Sequence, residues 1–308
     1  LSGESLQVEY KIHQYRFDNF TKFEAIIREA MNLLGHVEGD NPEINIYNHC
    51  YQSEVSTEKN IIFKPTAPTS KHFALDTIGY ANSSSLAFDN WMGGKHHFLE
   101  KPTEEEYKYV QNLIDQKTTK WDDSILLKWK KAKDIADDHI LIIGQVPTDE
   151  TVNGFGFGDH FKKLSMIVDY LKDENLIVKL HPSTRMKIKG KVKDKVDKWI
   201  QDGIDVRTEY ESIHDFLPKT RVAILENSTA GIECLMHSVP VISYGWPEYH
   251  WVTKNLQTLT QLDVIVNDLS WHDKDDADSF IHWYINKYLC HDVNSTFTRL
   301  KEIIEWKL

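Results

Sequence analysis

From His139 to Gly245 the sequence repeats one device: a short apolar run, a polar cluster, then a stretch with helical apolar spacing. The apolar runs are HILIIGQV (139–146), NLIVKL (175–180), IDVRT (204–208), RVAILE (221–226) and PVISYG (240–245), all of buried-strand type. Between them lie DHFKKLSMIVDYLKDE (159–174), with Phe161, Leu164, Ile167, Val168 and Leu171 at helical spacing, and KVKDKVDKWIQDG (191–203), closed by Gly203. A short helix over 212–220, ended near Pro218, and a helix over 229–238 complete the alternation. Strands and helices joined by connections this short predict a doubly wound parallel sheet.

A parallel sheet puts the polar clusters that follow its strands on one edge, where ligands of open α/β sheets bind. Four clusters are placed this way: GQVPTDETV (144–152), LHPSTR (180–185), ENSTAG (226–231) and YGWPEYHW (244–251). Each has a structural reading beside a functional one. His181-Pro182 is either a strand stop or a phosphate-binding His with Arg185 as a second cation. Asn227, Ser228 and Thr229 are either helix caps or a phosphate cradle. Asp149 is a loop cap or a reacting carboxylate. Trp246, Tyr249 and Trp251 are core or a stacking wall. GFGFG (154–158) departs from a dinucleotide fingerprint and reads as a loop, and His96-His97 has no metal-ligand spacing. Taken together, a His and an Arg at one strand end, hydroxyls at another and an acid at a third form the layout of a nucleotide-sugar transferase: a phosphate pocket facing a carboxylate.

The first half is less regular. TKFEAIIREAMNLLG (21–35) reads as an amphipathic helix with a Gly C-cap, EINIYNH (43–49) and NIIFK (60–64) as strands, and Thr103 with Glu106 as a capping box. The charged stretch 120–138 is expected to be a helix leading into a second domain. The expected division is 1–135, an acceptor-side α/β domain, and 136–308, a donor-binding domain.

Bulk properties narrow the class. Among 308 residues, Asp+Glu number 47 against 36 Lys+Arg, a net charge of −11 that argues against nucleic acid as a partner. No apolar run approaches the roughly 20 residues of a membrane span, and LSGESLQVEYK has no signal-peptide character. Three widely spaced cysteines give neither a disulfide framework nor a zinc site. A cytoplasmic protein, with at most peripheral association at the inner face of the membrane, is expected.

Three stretches, ILIIGQVPTDETV, VKLHPSTR and AILENSTAGIECLMHSVPVISYGWPEYHW, resemble the capsule polysaccharide biosynthesis family of GT-B-like glycosyltransferases, the family of the bacterial β-Kdo transferases. The resemblance covers roughly residues 139–251; LDTIGYANSSSLAFD (75–89) matches only loosely, as an acceptor-side loop. It implies two Rossmann-like domains. It also implies transfer of Kdo or a related ulosonic acid from a CMP-activated donor to a glycan or glycolipid acceptor of capsule or lipopolysaccharide, without metal or cofactor. By this resemblance His181, Ser228 and Thr229, with Pro182, Arg185 and Asn227 beside them, hold the CMP phosphate. Asp149 is the catalytic carboxylate, a nucleophile if configuration is retained; Gln145 assists, and Glu233 contacts the ribose. Thr151 stands where the family has Ser, and YGWPEYHW is bulkier than the family's loop. The competing readings are another GT-B enzyme (a CDP-polyol phosphate transferase, a sialyltransferase or a UDP-sugar epimerase), a generic nucleotide-binding regulatory domain, and a non-catalytic capsule assembly or export factor.

Overall fold

Each of the five apolar runs forms a strand in the computed structural model, which describes residues 5–12, 19–50, 59–88, 101–121, 130–147, 149–153, 158–181 and 190–307. In chain order the first elements are β1 (Gln7–Lys11), α1 (Asn19–Leu33), β2 (Val37–Glu38), β3 (Ile44–Asn48), β4 (Asn60–Pro65), β5 (Phe73–Asp76), α2 (Ser85–Phe88) and α3 (Glu104–Asp115). There follow β6 (His139–Ile143), α4 (Glu150–Asn153), α5 (His160–Tyr170), β7 (Leu176–Lys179), α6 (Lys191–Gln201) and β8 (Asp205–Arg207). Next come β9 (Thr220–Leu225), α7 (Ala230–Met236), β10 (Val241–Ser243), β11 (Lys254–Asn255) and α8 (Leu262–Ile265). The chain ends with α9 (Lys274–Trp283), β12 (Leu289–Cys290) and α10 (Val293–Lys307).

Contacts divide the chain into two units, Leu1–Asp123 with Ser279–Leu308, and Ser124–Asp278. In the second unit the strands lie in the order β11-β10-β9-β6-β7-β8, every pair parallel. β6 and β9 are central and buried at nearly every position, as a sheet covered on both faces requires. Ile140 and Ile142 of β6 share a core with Leu164 and Ile167 of α5 and Trp199 of α6. The Trp199 indole N–H donates to Asp169 Oδ1 (3.0 Å), fixing α6 to α5. Because the chain winds outward from β6 through β7 and β8, then crosses to β9, β10 and β11, the order reverses between β6 and β9. That reversal is where an open α/β sheet leaves a crevice at its carboxyl edge.

The first unit has the order β12-β5-β4-β3-β1-β2, parallel from β2 to β4 and antiparallel at β5 and β12. The capping box at Thr103 and Glu106 is formed. Residues 279–308, expected in the second domain, lie in the first unit: Leu289 and Cys290 pair with Ala74 and Phe73, and Leu300 and Ile303 of α10 share the core of Ile27 and Phe23. The helix expected over 120–138 falls partly outside the described residues; over 130–138 the chain is not helical. Lys130 bridges Glu211 instead, and Ala132 N donates to Asp215 Oδ2 (2.9 Å). That stretch buries only Ala132 among its charges, so it has no apolar face to pack as a helix.

Candidate active site

Two loops meet at the reversal, one after β6 and one after β9. β6 ends at Ile143, and Gly144 lets the chain pass the neighbouring strand end: a Cβ there would lie 2.9 Å from Leu180 Cδ2. Gln145 follows, buried, and its side-chain Oε1 accepts from Asn227 N (2.7 Å). Asn227 in turn donates through Nδ2 to Thr151 O (3.0 Å) and accepts through Oδ1 from Trp246 N (2.7 Å). One amide side chain thereby ties together the loops after β6, β9 and β10. Gly245 makes room for it, since a Cβ at Gly245 would stand 2.1 Å from Asn227 Oδ1.

Asp149 is exposed and opens α4. Its Oδ1 accepts from Thr151 N (2.9 Å) and from the Thr151 hydroxyl (2.6 Å), so Thr151 orients the carboxylate by the hydroxyl it shares with Ser. Ser228 and Thr229 are half-buried. The two readings of the Asn-Ser-Thr stretch divide between its residues. Asn227 is a latch held at both ends by the chain. Ser228 Oγ accepts from Ala230 N (3.2 Å), whereas Thr229, at the N-cap position of the seven-residue α7, makes no side-chain cap bond. The first amides of α7 are taken by the chain itself: Gly231 N donates to Ser228 O (3.0 Å) and Ile232 N to Thr229 O (3.0 Å). The hydroxyls, not the helix end, are what this loop offers a ligand.

Tyr249 is core. Its hydroxyl donates to Ser228 O beneath the loop, and Gly231 is required there because a Cβ would lie 2.2 Å from Tyr249 Oη. Burial raises the Tyr249 phenol far above its usual range, so it remains a donor. Trp246 is exposed, with the His250 ring edge-on 4.2 Å away and Trp251 edge-on to His250 at 4.3 Å. Burial lowers His250 to about 4, so it is neutral near pH 7. Glu233 is buried in α7.

His181 is half-buried, two residues past the end of β7, on the same sheet edge. Pro182 and Arg185 lie outside the described residues, as do His96-His97 and residues 154–157. Among the expected site residues, Gln145 and Asn227 are hydrogen-bonded directly, and Asp149 joins them through Thr151. His181, Ser228, Thr229 and Glu233 belong to the same edge or to the helix behind it.

Further functional candidates carried no reading of their own in the sequence, although Glu226 opens the ENSTAG cluster and Lys179 lies in VKLHPSTR. Glu226, fully buried at the end of β9, is paired with His160 and Lys163 of α5, which the sequence presents only as the polar side of an amphipathic helix. Lys179, the last residue of β7, is buried with its ammonium 5.6 Å from the Phe216 ring centroid. Burial lowers it to about 8 against the opposing field of Glu211, with Arg207 adding to the lowering. Among the described residues, no three His, Cys, Asp or Glu side chains converge as a metal site, and no helix is long and apolar enough to cross a membrane.

The family model described as capsule polysaccharide biosynthesis protein matches residues 77–262, which take in all four polar clusters. Two solved structures align over nearly the whole chain, both of KpsC from Thermosulfurimonas dismutans. Its beta Kdo 2,4 transferase is 14% identical with a TM-score of 0.58, over 96% of this chain and 98% of that one. Its beta Kdo 2,7 transferase is 13% identical with a TM-score of 0.56, over 98% of this chain and 100% of that one. At this identity the likeness is one of fold, GT-B-like and built on two sheets in which parallel pairing dominates. A comparison with curated protein sequences returns no match.

Proposed function

The chain belongs to the capsule polysaccharide biosynthesis family, and we propose that it is a glycosyltransferase acting on a CMP-activated ulosonic acid, Kdo or a relative, with a surface glycan or glycolipid as acceptor. The observation that carries this reading is the tie between the two central loops. Gln145, Asn227 and Thr151 lock an exposed carboxylate, Asp149, to the loop that bears the Ser228 and Thr229 hydroxyls. A sugar-phosphate ester needs both: donors for the phosphate that leaves, and a carboxylate at the carbon it leaves from.

In this reading His181, Ser228 and Thr229 hold the single phosphate of CMP, Pro182 and Arg185 complete that side, and Glu233 serves the ribose. Gln145 and Asn227 act by positioning, since both side chains already bond across the loops. The Asp149 carboxylate attacks the anomeric carbon, the bond to the phosphate oxygen breaks with its electrons, and CMP departs. The acceptor hydroxyl then displaces the carboxylate, which leaves with the bond's electrons, and the hydroxyl proton passes to solvent. No metal takes part. A single displacement with Asp149 as general base is the other course open to the same residue.

The test combines binding with intact mass. CMP should raise the melting temperature and UDP should bind at least about tenfold more weakly, as ligand linkage reports affinity directly. Asp149→Asn should keep CMP affinity near normal while abolishing transfer from CMP-Kdo. Donor without acceptor should leave a glycosyl adduct on the wild type and none on the variant; an active wild type with no adduct assigns Asp149 as a base. Transfer within about tenfold of wild type in Asp149→Asn reduces this residue to a cap, worth roughly 1 kcal/mol of stability, and assigns the reacting carboxylate elsewhere; a wild type that transfers nothing puts the non-catalytic assembly factor first.

A further inference from the structure

The buried pair behind the two loops has a defined proton arrangement. His160 Nε2 lies 3.0 Å from Gln145 N, and a backbone N–H can only donate, so Nε2 carries no proton. Nδ1 therefore holds it and donates to Glu226 Oε2, while Lys163 Nζ donates to Glu226 Oε1. His160 and Glu226 side chains are 1% and 0% exposed, whereas Lys163 reaches solvent at 22%. A carboxylate so buried is tolerated only when paired and hydrogen-bonded, which Lys163 and His160 supply. The Tyr244 ring lies nearly parallel to the imidazole, with ring centroids 6.3 Å apart.

We propose that His160 is a positioning residue: its Nδ1–H tautomer, fixed by Glu226 and charge-balanced by Lys163, sets the Gln145 backbone, at the start of the loop that carries Asp149, against the loop that follows β9. This rests on the reading of Asp149 as the reacting carboxylate. Glu226 stands one residue before Asn227, and Gln145 takes a bond from each side: its N–H goes to His160 and its Oε1 receives the Asn227 N–H. The route Glu226–His160–Gln145–Asn227 is a closed ring of contacts returning to its own loop. Displacing the imidazole releases the loop after β6 at Gln145 while leaving the Ser228 and Thr229 hydroxyls in place.

Nitrogen NMR of the wild-type histidines should find His160 protonated at Nδ1 and bare at Nε2. His160→Phe keeps the ring shape without either nitrogen, whereas His160→Gln can bring an amide oxygen to the Nε2 position. In His160→Phe the Gln145 amide should exchange at least about tenfold faster and kcat should fall by a similar factor, the scale of one strong hydrogen bond lost, with KM for CMP-Kdo little changed. His160→Gln should recover most of both. A proton on Nε2, unchanged Gln145 exchange in His160→Phe, or a His160→Gln variant no better than His160→Phe would overturn the proposal. If tautomer and exchange follow expectation but the wild type transfers nothing, the brace stands and the glycosyltransferase reading falls.

Discussion

Two strand ends of this molecule have almost the same composition and opposite fates. From the last residue of β5 the chain reads DTIGYANSSS (76–85), and after β9 it reads ENSTAG (226–231): an acid, then residues rich in hydroxyls, Ala, Asn and Gly. Asp76 is buried and accepts from the N–H groups of Ile78 (2.8 Å), Gly79 (3.2 Å) and Ser85 (3.0 Å). The hydroxyls of Ser85 (2.6 Å) and Tyr288 (3.3 Å) also reach it, and Ser83, Ser84 and Ser85 are buried around it. Glu226 is consumed in the same way by His160 and Lys163, but the residues after it turn outward and meet an exposed Asp149 across a one-amide latch. Hydroxyl-rich strand ends therefore do not mark a site by themselves. An acid whose acceptor capacity is filled by its own chain is scaffold, and in the proposed reading the chemistry belongs to the groups beyond it.

The comparison is broken most directly by removing both acids in turn. Asp76→Ala leaves the Gly79 and Ser85 N–H groups buried without this acceptor, each costing roughly 1–3 kcal/mol, and the Ile78 N–H half-buried without it. It should lower unfolding stability by at least about 3 kcal/mol. Asp149→Ala removes an exposed cap and should cost no more than about 1 kcal/mol. Urea unfolding of the two variants side by side checks it; equal losses would mean that exposure does not separate scaffold from site here.

A second contrast lies at the end of β7, where Lys179 is buried and His181, two residues on, is half-buried. The Lys179 ammonium is held at about 8 by burial, against 10.5 for an ordinary lysine. Between those values the unfolded chain binds a proton that the folded chain does not, so stability rises with pH across that window and the penalty is full below it. Relative to Lys179→Met, the wild type should gain on the order of 2 kcal/mol from pH 8 to 10.5. Parallel pH profiles of urea midpoints for the two proteins would show no divergence if the ammonium is solvated.

How much of this was legible follows the same division. The five strands and the shared edge could be read because near-continuous apolar runs separated by helical spacing admit few other arrangements. The convergence of Gln145, Asp149, Ser228 and His181 on that edge followed from parallel winding alone. His160 and Lys163 were not legible, because nothing in the spacing of α5 says that its polar side meets a carboxylate 63 residues and more along the chain. The return of residues 279–308 to the first unit was hidden for a related reason. Its signal is a two-residue strand, Leu289–Cys290, too short for any periodicity to reveal. The latch role of Asn227 was equally invisible, since a cap, a ligand and a brace draw on the same amide.

His181 tests the outward half of the comparison at smaller scale. His181→Ala should weaken CMP binding by roughly tenfold to a hundredfold, the worth of a charge-assisted phosphate contact, and should leave the melting temperature almost unchanged. Calorimetric titration beside a thermal scan separates the two. A variant that melts far earlier and binds CMP normally would move His181 to the scaffold side with Asp76.

A small effect on stability is also expected at Thr151, and it bears on what Asp149 is for. The Thr151 hydroxyl and N–H both donate to the same carboxylate oxygen, at 2.6 and 2.9 Å. Thr151→Val removes only the hydroxyl, and a single exposed hydrogen bond is worth about 1 kcal/mol or less. If the bond merely caps α4, that loss appears in the melting curve and transfer is untouched. If it aims the carboxylate at the anomeric carbon, kcat should fall by about tenfold with the donor KM unchanged, a larger effect on rate than on folding. Thr151→Ser, which keeps the donor and drops a methyl group, should restore the rate. A Val variant as fast as wild type, or a Ser variant as slow as Val, would show that the hydroxyl serves the helix and not the reaction.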